Sequence, residues 1–126
     1  MDEYSKNILI NVKSIFLPEY TDSSKPEYFF AYYITILNKC SQSIQLLERH
    51  WEITDANGNT KIIDGIGVVG EQPTIMKDSK YKYNSFCPLP TEFGKMLGFY
   101  KMKSENGVIF KANIPAFNLI VPSHLN

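Results

Sequence analysis

The segment Tyr28-Phe29-Phe30-Ala31-Tyr32-Tyr33-Ile34-Thr35-Ile36-Leu37-Asn38 decides the fold of this 126-residue chain. Large apolar side chains recur at every second position from Tyr28 to Ile36, and Asn38 follows where a strand would end. A period of two is typical of a β-strand with one buried face. The segment therefore predicts a strand that turns one face toward the core.

The opposite face of this strand is unusually aromatic for a surface, since it carries Phe29, Ala31, Tyr33 and Thr35. Exposed apolar patches of this kind often mark contacts with other proteins. Partial cover by a loop is the favoured alternative. The sequence thus indicates Phe29 and Tyr33 as a candidate interaction surface.

The same alternation recurs along most of the chain, at residues 8–12, 81–85, 96–102 and 108–114. Asn57-Gly58 and Asn106-Gly107 lie between β-rich runs and predict tight hairpins, because both residue types accept positive φ. Pro115 cannot donate to a sheet ladder, and the apolar parity changes after it, so a bulge or an edge position is predicted there.

These signals predict an all-β fold, an immunoglobulin/fibronectin type III-like sandwich of about seven antiparallel strands. A small barrel is the alternative. Residues 1–126 are expected to form a single domain, because this length supports one core. Residues 88–94 are interpreted as a crossover loop and residues 18–26 as a polar surface loop.

Thirteen basic and thirteen acidic residues give a formal net charge of zero, which argues against binding to nucleic acid or an anionic membrane. The N-terminal residues do not have the pattern of a signal peptide. No stretch approaches the roughly 18 apolar residues of a spanning helix. A cytoplasmic location is therefore expected.

The two cysteines, Cys40 and Cys87, are interpreted as reduced thiols, with a structural disulfide as the less favoured alternative. His50 and His124 are far apart, and neither has a partner at a recognisable metal-ligand spacing. The sequence predicts no metal site and no cofactor. It also contains no nucleophile elbow, H-E-x-x-H or Walker lysine, so no enzyme is predicted.

Gly65, Gly67 and Gly70 fall at the G-x-G-x-x-G spacing of dinucleotide-binding loops. Such a loop leads into a helix whose N-terminus faces the pyrophosphate. Pro73 follows almost at once, and the ten residues between Gly70 and Tyr81 leave little room for a crossover helix. The favoured interpretation is a glycine turn by which a strand bulges and continues on the other sheet; the alternative is a nest of N–H groups that binds an anion.

Arg49 lies in an apolar row with Leu47, Trp51 and Ile53, if the strand is regular. An arginine fork matches the oxygens of a phosphate, so Arg49 is a candidate partner for the glycine loop. The favoured alternative is that its head reaches solvent along the strand end. Trp51 is expected in the core.

His50 lies on the opposite face of the same strand, between Glu48 and Glu52. A histidine between carboxylates can titrate near neutral pH. Asp55 and Asp64 are expected to flank turns, where water solvates them.

Six linked motifs occur in a characteristic order: Gln45-Leu46-Leu47, Arg49-His50-Trp51, Gly65-x-Gly67-Val68-Val69-Gly70-Glu71-Gln72-Pro73, Tyr81-x-Tyr83-x-Ser85, Gly94-x-Met96-x-Gly98-x-Tyr100-x-Met102 and Ile114-Pro115-x-Phe117-x-Leu119. In these motifs the chain resembles the ApaG family, in its stand-alone bacterial form, over nearly its whole length. The resemblance implies a fibronectin type III-like sandwich. One departure is Lys77-Asp78, where the family commonly has Pro-Gly.

The resemblance also implies a link by genetic context to diadenosine-polyphosphate metabolism and to cobalt and magnesium homeostasis, without an established catalytic role. Related domains in F-box proteins look like protein-recognition modules. Two functions are therefore expected as alternatives. The first is a non-enzymatic interaction domain with an unidentified protein partner; the second is a small-anion sensor for pyrophosphate or a nucleotide, using Gly65, Gly67, Gly70 and Arg49. A monomer or a homodimer through an edge strand is expected.

Overall fold

The computed structural model describes residues 4–21, 24–25 and 27–122. Eight strands follow one another in the chain: β1 (Ile8–Phe16), β2 (Tyr28–Asn38), β3 (Ile44–Asp55), β4 (Thr60–Ile66), β5 (Thr74–Ile75), β6 (Lys80–Leu89), β7 (Phe93–Ser104) and β8 (Ile109–Ile120). Short 3-10 helices occur at Ser5–Asn7 and Pro18–Tyr20. No helix in these residues is long and apolar enough to cross a membrane. His124 lies outside the described residues.

The strands form two antiparallel sheets that face each other. One sheet has the order β1-β2-β6, and the other has the order β4-β3-β7-β8, with β5 paired to the same edge of β3 as β4. The first sheet thus has three strands and the second has four principal strands, an arrangement of the immunoglobulin type. The prediction of an all-β sandwich is confirmed.

The core lies between the sheets and is built from the inward rows that the alternation predicted. On β2 the inward side chains of Phe30, Ile34 and Ile36 are at most 1% exposed. Trp51 on β3 is 2% exposed and meets the rings of Tyr32 and Phe117 edge-on. Trp51 is therefore a core tryptophan that joins the two sheets.

Both predicted hairpins form, with Gly58 at φ 85° and Gly107 at φ 87°. The predicted irregularity near Pro115 is also present, because the β7–β8 register shifts between Met96 and Gly98. There β8 advances from Ile114 to Phe117 while β7 advances by two residues, which is the signature of a bulge. β8 is an edge strand, so Pro115 breaks no ladder on its far side.

Two sequence-based expectations about the strands were wrong: the limits of β6 and β7, and the regularity of β3. β6 runs to Leu89 and β7 begins at Phe93, so the connection between the sheets is only residues 90–92 instead of 88–94. A bulge on β3 between Leu46 and Glu48 shifts the register, so Leu46 is fully buried and Leu47 leaves the row of Arg49 and Trp51.

Candidate functional site

The glycine motif forms a tight turn at the edge of the second sheet. Val68 and Glu71 exchange two backbone hydrogen bonds of 2.8 and 3.0 Å, and the two residues between them, Val69 and Gly70, have φ of 47° and 78°. Positive φ at both central residues defines a type I′ turn. The loop then returns to β3 through β5, so the expected passage to the other sheet does not occur.

Several backbone N–H groups of this turn already donate to carbonyl groups. Gly67 donates to Leu47 at 2.8 Å, in addition to the two bonds between Val68 and Glu71. A Cβ on Gly67 would lie 2.0 Å from the Glu71 carbonyl oxygen. An anion nest needs N–H groups that point at the ligand, so this geometry favours the structural interpretation of the glycines.

Arg49 contacts the glycine motif through carbonyl groups. Its Nη1 donates to the carbonyl oxygens of Ile66 at 3.2 Å and Gly67 at 2.9 Å. The guanidinium lies against Gly65, its cross-strand partner, where a Cβ would be 2.6 Å from Cζ. Arg49 on β3 thus lies beside the edge strand β4 and the glycine turn, and its guanidinium is bound by carbonyl groups of that turn.

A cleft of about 450 Å³ opens beside Arg49, between the edge strands β4 and β6. The other side of the sandwich is closed, because β1 packs on β8 and Ser14 Oγ donates to the Asn118 carbonyl oxygen at 2.8 Å. The lining includes Tyr32, Arg49, Trp51, Ser85 and Lys61. Sequence reasoning did not find this cleft, because it depends on which strands become edges.

Three tyrosines lie near enough to Arg49 for its charge to affect their hydroxyls: Tyr32, Tyr83 and Tyr100. The hydroxyls of Tyr83 on β6 and Tyr100 on β7 are hydrogen-bonded to each other across the two sheets. Burial raises the pKa of both phenols, and the positive charge of Arg49 opposes that shift. Burial likewise raises the pKa of Tyr32, and the neighbouring Ser85 hydroxyl opposes that shift. Arg49 therefore lies in a group of neutral hydroxyls.

His50 is held between two carboxylates on the outer face of the second sheet. Its Nε2 lies 3.0 Å from Glu52 Oε2, and its Nδ1 lies 2.6 Å from Asp64 Oδ1. The hydrogen bond with Glu52, followed by that with Asp64, raises the pKa of His50. The expectation that Asp64 flanks a turn was wrong: Asp64 lies within β4 and pairs with His50 across the strands.

The expected partner Glu48 instead lies 3.8 Å from Lys101 Nζ. The ring of Phe99 stacks on His50 at 4.7 Å between centroids, and Lys111 Nζ lies 4.5 Å from the centroid of the same ring. This face therefore mixes charges of both signs and pairs them locally.

The predicted interaction residues lie on the outer face of the first sheet. Ile15, Ala31 and Phe86 are aligned across β1, β2 and β6, and Phe29 and Tyr33 flank Ala31 on β2. Tyr33 is 45% exposed and Phe86 59% exposed, whereas Phe29 is half-buried. An apolar patch therefore spans all three strands, and we call these five residues the outer apolar patch.

Cys40 and Cys87 are buried free thiols. Burial raises the pKa of Cys87 to about 11, and the charge of Lys61 at the cleft opposes that shift. Within residues 4–21, 24–25 and 27–122, no three His, Cys, Asp or Glu side chains are grouped so that they could hold a metal ion.

The two sheets, the bulged third strand and the glycine turn at its edge define an all-β sandwich domain, and sequence comparison identifies its family. Residues 18–104 match the profile described as the ApaG domain. The chain is 42% identical over 118 residues to Protein ApaG of Brucella suis, covering 94% of this chain and 91% of the relative. Protein ApaG of Beijerinckia indica matches to the same extent. The chain belongs to the ApaG family.

Solved structures agree with this assignment. An X-ray structure of a Northeast Structural Genomics Consortium target has a TM-score of 0.89 at 43% identity, covering 94% of this chain and 89% of that chain. The putative ApaA protein from Bordetella pertussis has a TM-score of 0.88 at 39% identity, with 91% and 94% covered.

Proposed function

We propose that this chain is a cytoplasmic, non-enzymatic interaction domain that binds a protein partner through the outer apolar patch. The observation that carries the proposal is the row Ile15–Ala31–Phe86, with Tyr33 beside it, in which Ala31 is buried and the larger side chains around it remain exposed. Ile15, Tyr33 and Phe86 are 39%, 45% and 59% exposed. Large exposed apolar side chains in one contiguous group are typical of protein contact sites.

The charges around this patch define the chemistry of the partner. Lys13, Lys80 and Lys82 point outward from the same three strands, and β1, β2 and β6 contain no Asp or Glu. A second copy of the chain would bring two sets of lysines together, which is unfavourable. The proposed partner therefore presents apolar side chains flanked by acidic ones.

Links of ApaG proteins to cobalt and magnesium homeostasis and to diadenosine-polyphosphate metabolism, which the resemblance implies, would on this proposal act through the partner. The glycine turn is not proposed as a small-anion sensor, because the N–H groups of Gly67, Val68 and Glu71 are already hydrogen-bonded to carbonyls.

A matched pair of phenylalanines tests the proposal. Phe86→Ser removes the most exposed side chain of the patch, whereas Phe93→Ser removes a phenylalanine that is 47% exposed on the other sheet. In capture from cytosol, a partner should be retained by the wild type and by Phe93→Ser, lost with Phe86→Ser and Tyr33→Ala, and weakened by salt. Recovery of no specific partner, or equal loss with both serine variants, would overturn the proposal.

A further inference from the structure

The inter-sheet cleft contains an arginine that has no carboxylate partner among the described residues. The ion pairs of the described residues lie elsewhere: they join Lys39 with Asp78, His50 with Glu52 and Asp64, and Lys101 with Glu48. Arg49 is half-buried and lines the cleft. A partly buried cation is normally paired or hydrogen-bonded, because its removal from water costs free energy.

The guanidinium of Arg49 is fixed in orientation by only one of its nitrogens. Nη1 donates to the carbonyl oxygens of Ile66 and Gly67, and within the described residues no protein acceptor takes a hydrogen bond from Nε or Nη2. A guanidinium presents its donors in a rigid fork that fits carboxylate and phosphate oxygens. The loop therefore holds an arginine whose remaining donors are available and already oriented.

Other groups around the cleft add donors and positive charge. The hydroxyls of Tyr32 and Ser85 line it, and both can donate a hydrogen bond. Lys61 lies near enough to affect the thiol of Cys87. The one carboxylate in the lining, that of Asp55, already accepts the backbone N–H groups of Asn57 at 2.9 Å and Asn59 at 3.0 Å.

Apart from Asn59 and Thr60, the remaining lining of the cleft is mostly apolar. Five of these side chains are Trp51, Ile53, Ile63, Leu89 and Met96. Its volume of about 450 Å³ is within the range of roughly 300–1,000 Å³ found for small-molecule sites, which combine apolar walls with a few oriented polar groups. The indole N–H of Trp51 has no hydrogen-bond partner in the described residues. The lining therefore combines the charged group of Arg49 with a largely apolar surface.

We propose that this cleft binds a small organic anion, with a carboxylate or phosphate head on the free edge of Arg49 and an apolar body against Trp51, Ile63 and Met96. The cleft and the outer apolar patch lie on opposite faces of β2, because Tyr32 and Tyr33 point to opposite sides. Phe86 on β6 is the one patch residue that also lines the cleft. The proposed site differs from an anion nest on the glycine turn in that side chains, not backbone N–H groups, hold the head.

A set of compounds with one body and different heads tests the charge requirement. Cyclohexanecarboxylate and cyclohexyl phosphate carry an anion, whereas cyclohexanecarboxamide is neutral and similar in shape. The chain has a single tryptophan, so the indole N–H signal in a ¹⁵N NMR spectrum reports on the cleft directly. We expect a saturable shift with at least one anion and affinity at least ~10-fold weaker for the amide, since the neutral head loses the charge-assisted pair. The anion that binds more tightly identifies the head.

Variants then locate the head. Arg49→Lys keeps the charge but loses the fork, and should weaken anion binding about 10-fold. Lys61→Gln should weaken it less and reduce its salt dependence. Lys111→Gln, on the outer face of the same sheet and away from the cleft, should leave affinity unchanged. Thermal unfolding of each variant verifies its folding. If Arg49→Lys does not fold, the comparison of the two anions with the neutral amide, together with Lys61→Gln, tests the proposal. Equal affinity for amide and anions, an unaltered affinity in Arg49→Lys, or no indole shift at tens of millimolar ligand would overturn the proposal.

Discussion

The guanidinium of Arg49 lies against Gly65 on the neighbouring strand, at a place where any Cβ would be 2.6 Å from Cζ. The glycine therefore gives the arginine room to reach the carbonyls of Ile66 and Gly67. The pair links the Arg49-His50-Trp51 motif to the first glycine of the G-x-G-x-x-G motif. Two motifs that are separate in the sequence thus form one contact.

Gly65→Ala should displace the guanidinium and lower the free energy of unfolding by about 1.5–3 kcal/mol, the usual range for hydrogen bonds to a charged group. The same change in an Arg49→Met background should cost less, because the contact is already absent. Urea unfolding of the two single variants and the double variant measures this coupling. Strictly additive losses would show that the two residues act independently.

Val69 occupies a left-handed conformation with φ 47°, which is unfavourable for a β-branched residue. Its side chain is 64% exposed, so replacement removes little packing. Val69→Asn should stabilise the protein by about 1 kcal/mol, because Asn followed by Gly is the preferred type I′ dipeptide.

The matched control for this change is Ile62→Asn, on the extended strand β4 and 59% exposed. It should be neutral or destabilising, since asparagine is depleted in strands. Thermal unfolding of both variants compares them; a lower midpoint for Val69→Asn than for the wild type would contradict the assignment of strain.

The hydrogen bond between Tyr83 and Tyr100 joins the two sheets inside the core. Tyr83→Phe should lower the free energy of unfolding by about 1–3 kcal/mol, because it leaves the fully buried Tyr100 hydroxyl without its partner. Adding Tyr100→Phe should cost little more, since both polar groups are then gone. A double-mutant cycle by chemical denaturation measures the coupling, and a double loss equal to the sum of the single losses would exclude it.

Stability should depend on the protonation of His50. Its pKa is raised, first by Glu52 and then by Asp64, so the folded state binds a proton more tightly than the unfolded state. The contribution is fully present below about pH 6.5, the ordinary value for histidine, and is lost as pH rises through the folded pKa. The difference in unfolding free energy between wild type and His50→Gln should shrink across that window.

NMR titration of the His50 ring measures the same pKa directly. Glu52→Gln should lower it, whereas Glu48→Gln should leave it unchanged, because Glu48 lies beside Lys101 instead. A His50 pKa that is equal in the wild type and in Glu52→Gln would rule out this cause.

The strands were predictable from the sequence because alternation is a local signal, as the inward row of β2 illustrates. The bulge at Leu47 was not, because one extra residue in a strand leaves no separate mark in its composition. His50 shows the same limit: Glu52 is two residues away in the sequence, whereas Asp64 becomes a partner only through the β3–β4 register.

The candidate site was predictable only in part, for a similar reason. Arg49 and Gly65 could be singled out by residue type, but their contact required knowledge of which strand lies beside β3. The cleft and the Tyr83–Tyr100 pair depend on how two sheets face each other. No spacing along the chain encodes that relationship.

The three lysines on the outer face of the first sheet give that face a local positive charge in a protein of zero net charge. Since the whole chain is neutral, the rest of it carries a compensating negative excess. An acidic surface that approaches the molecule will turn this face toward itself before any contact forms. For the same reason, the protein should be retained by a cation-exchange resin near pH 7, and neutralising Lys13, Lys80 and Lys82 should release it.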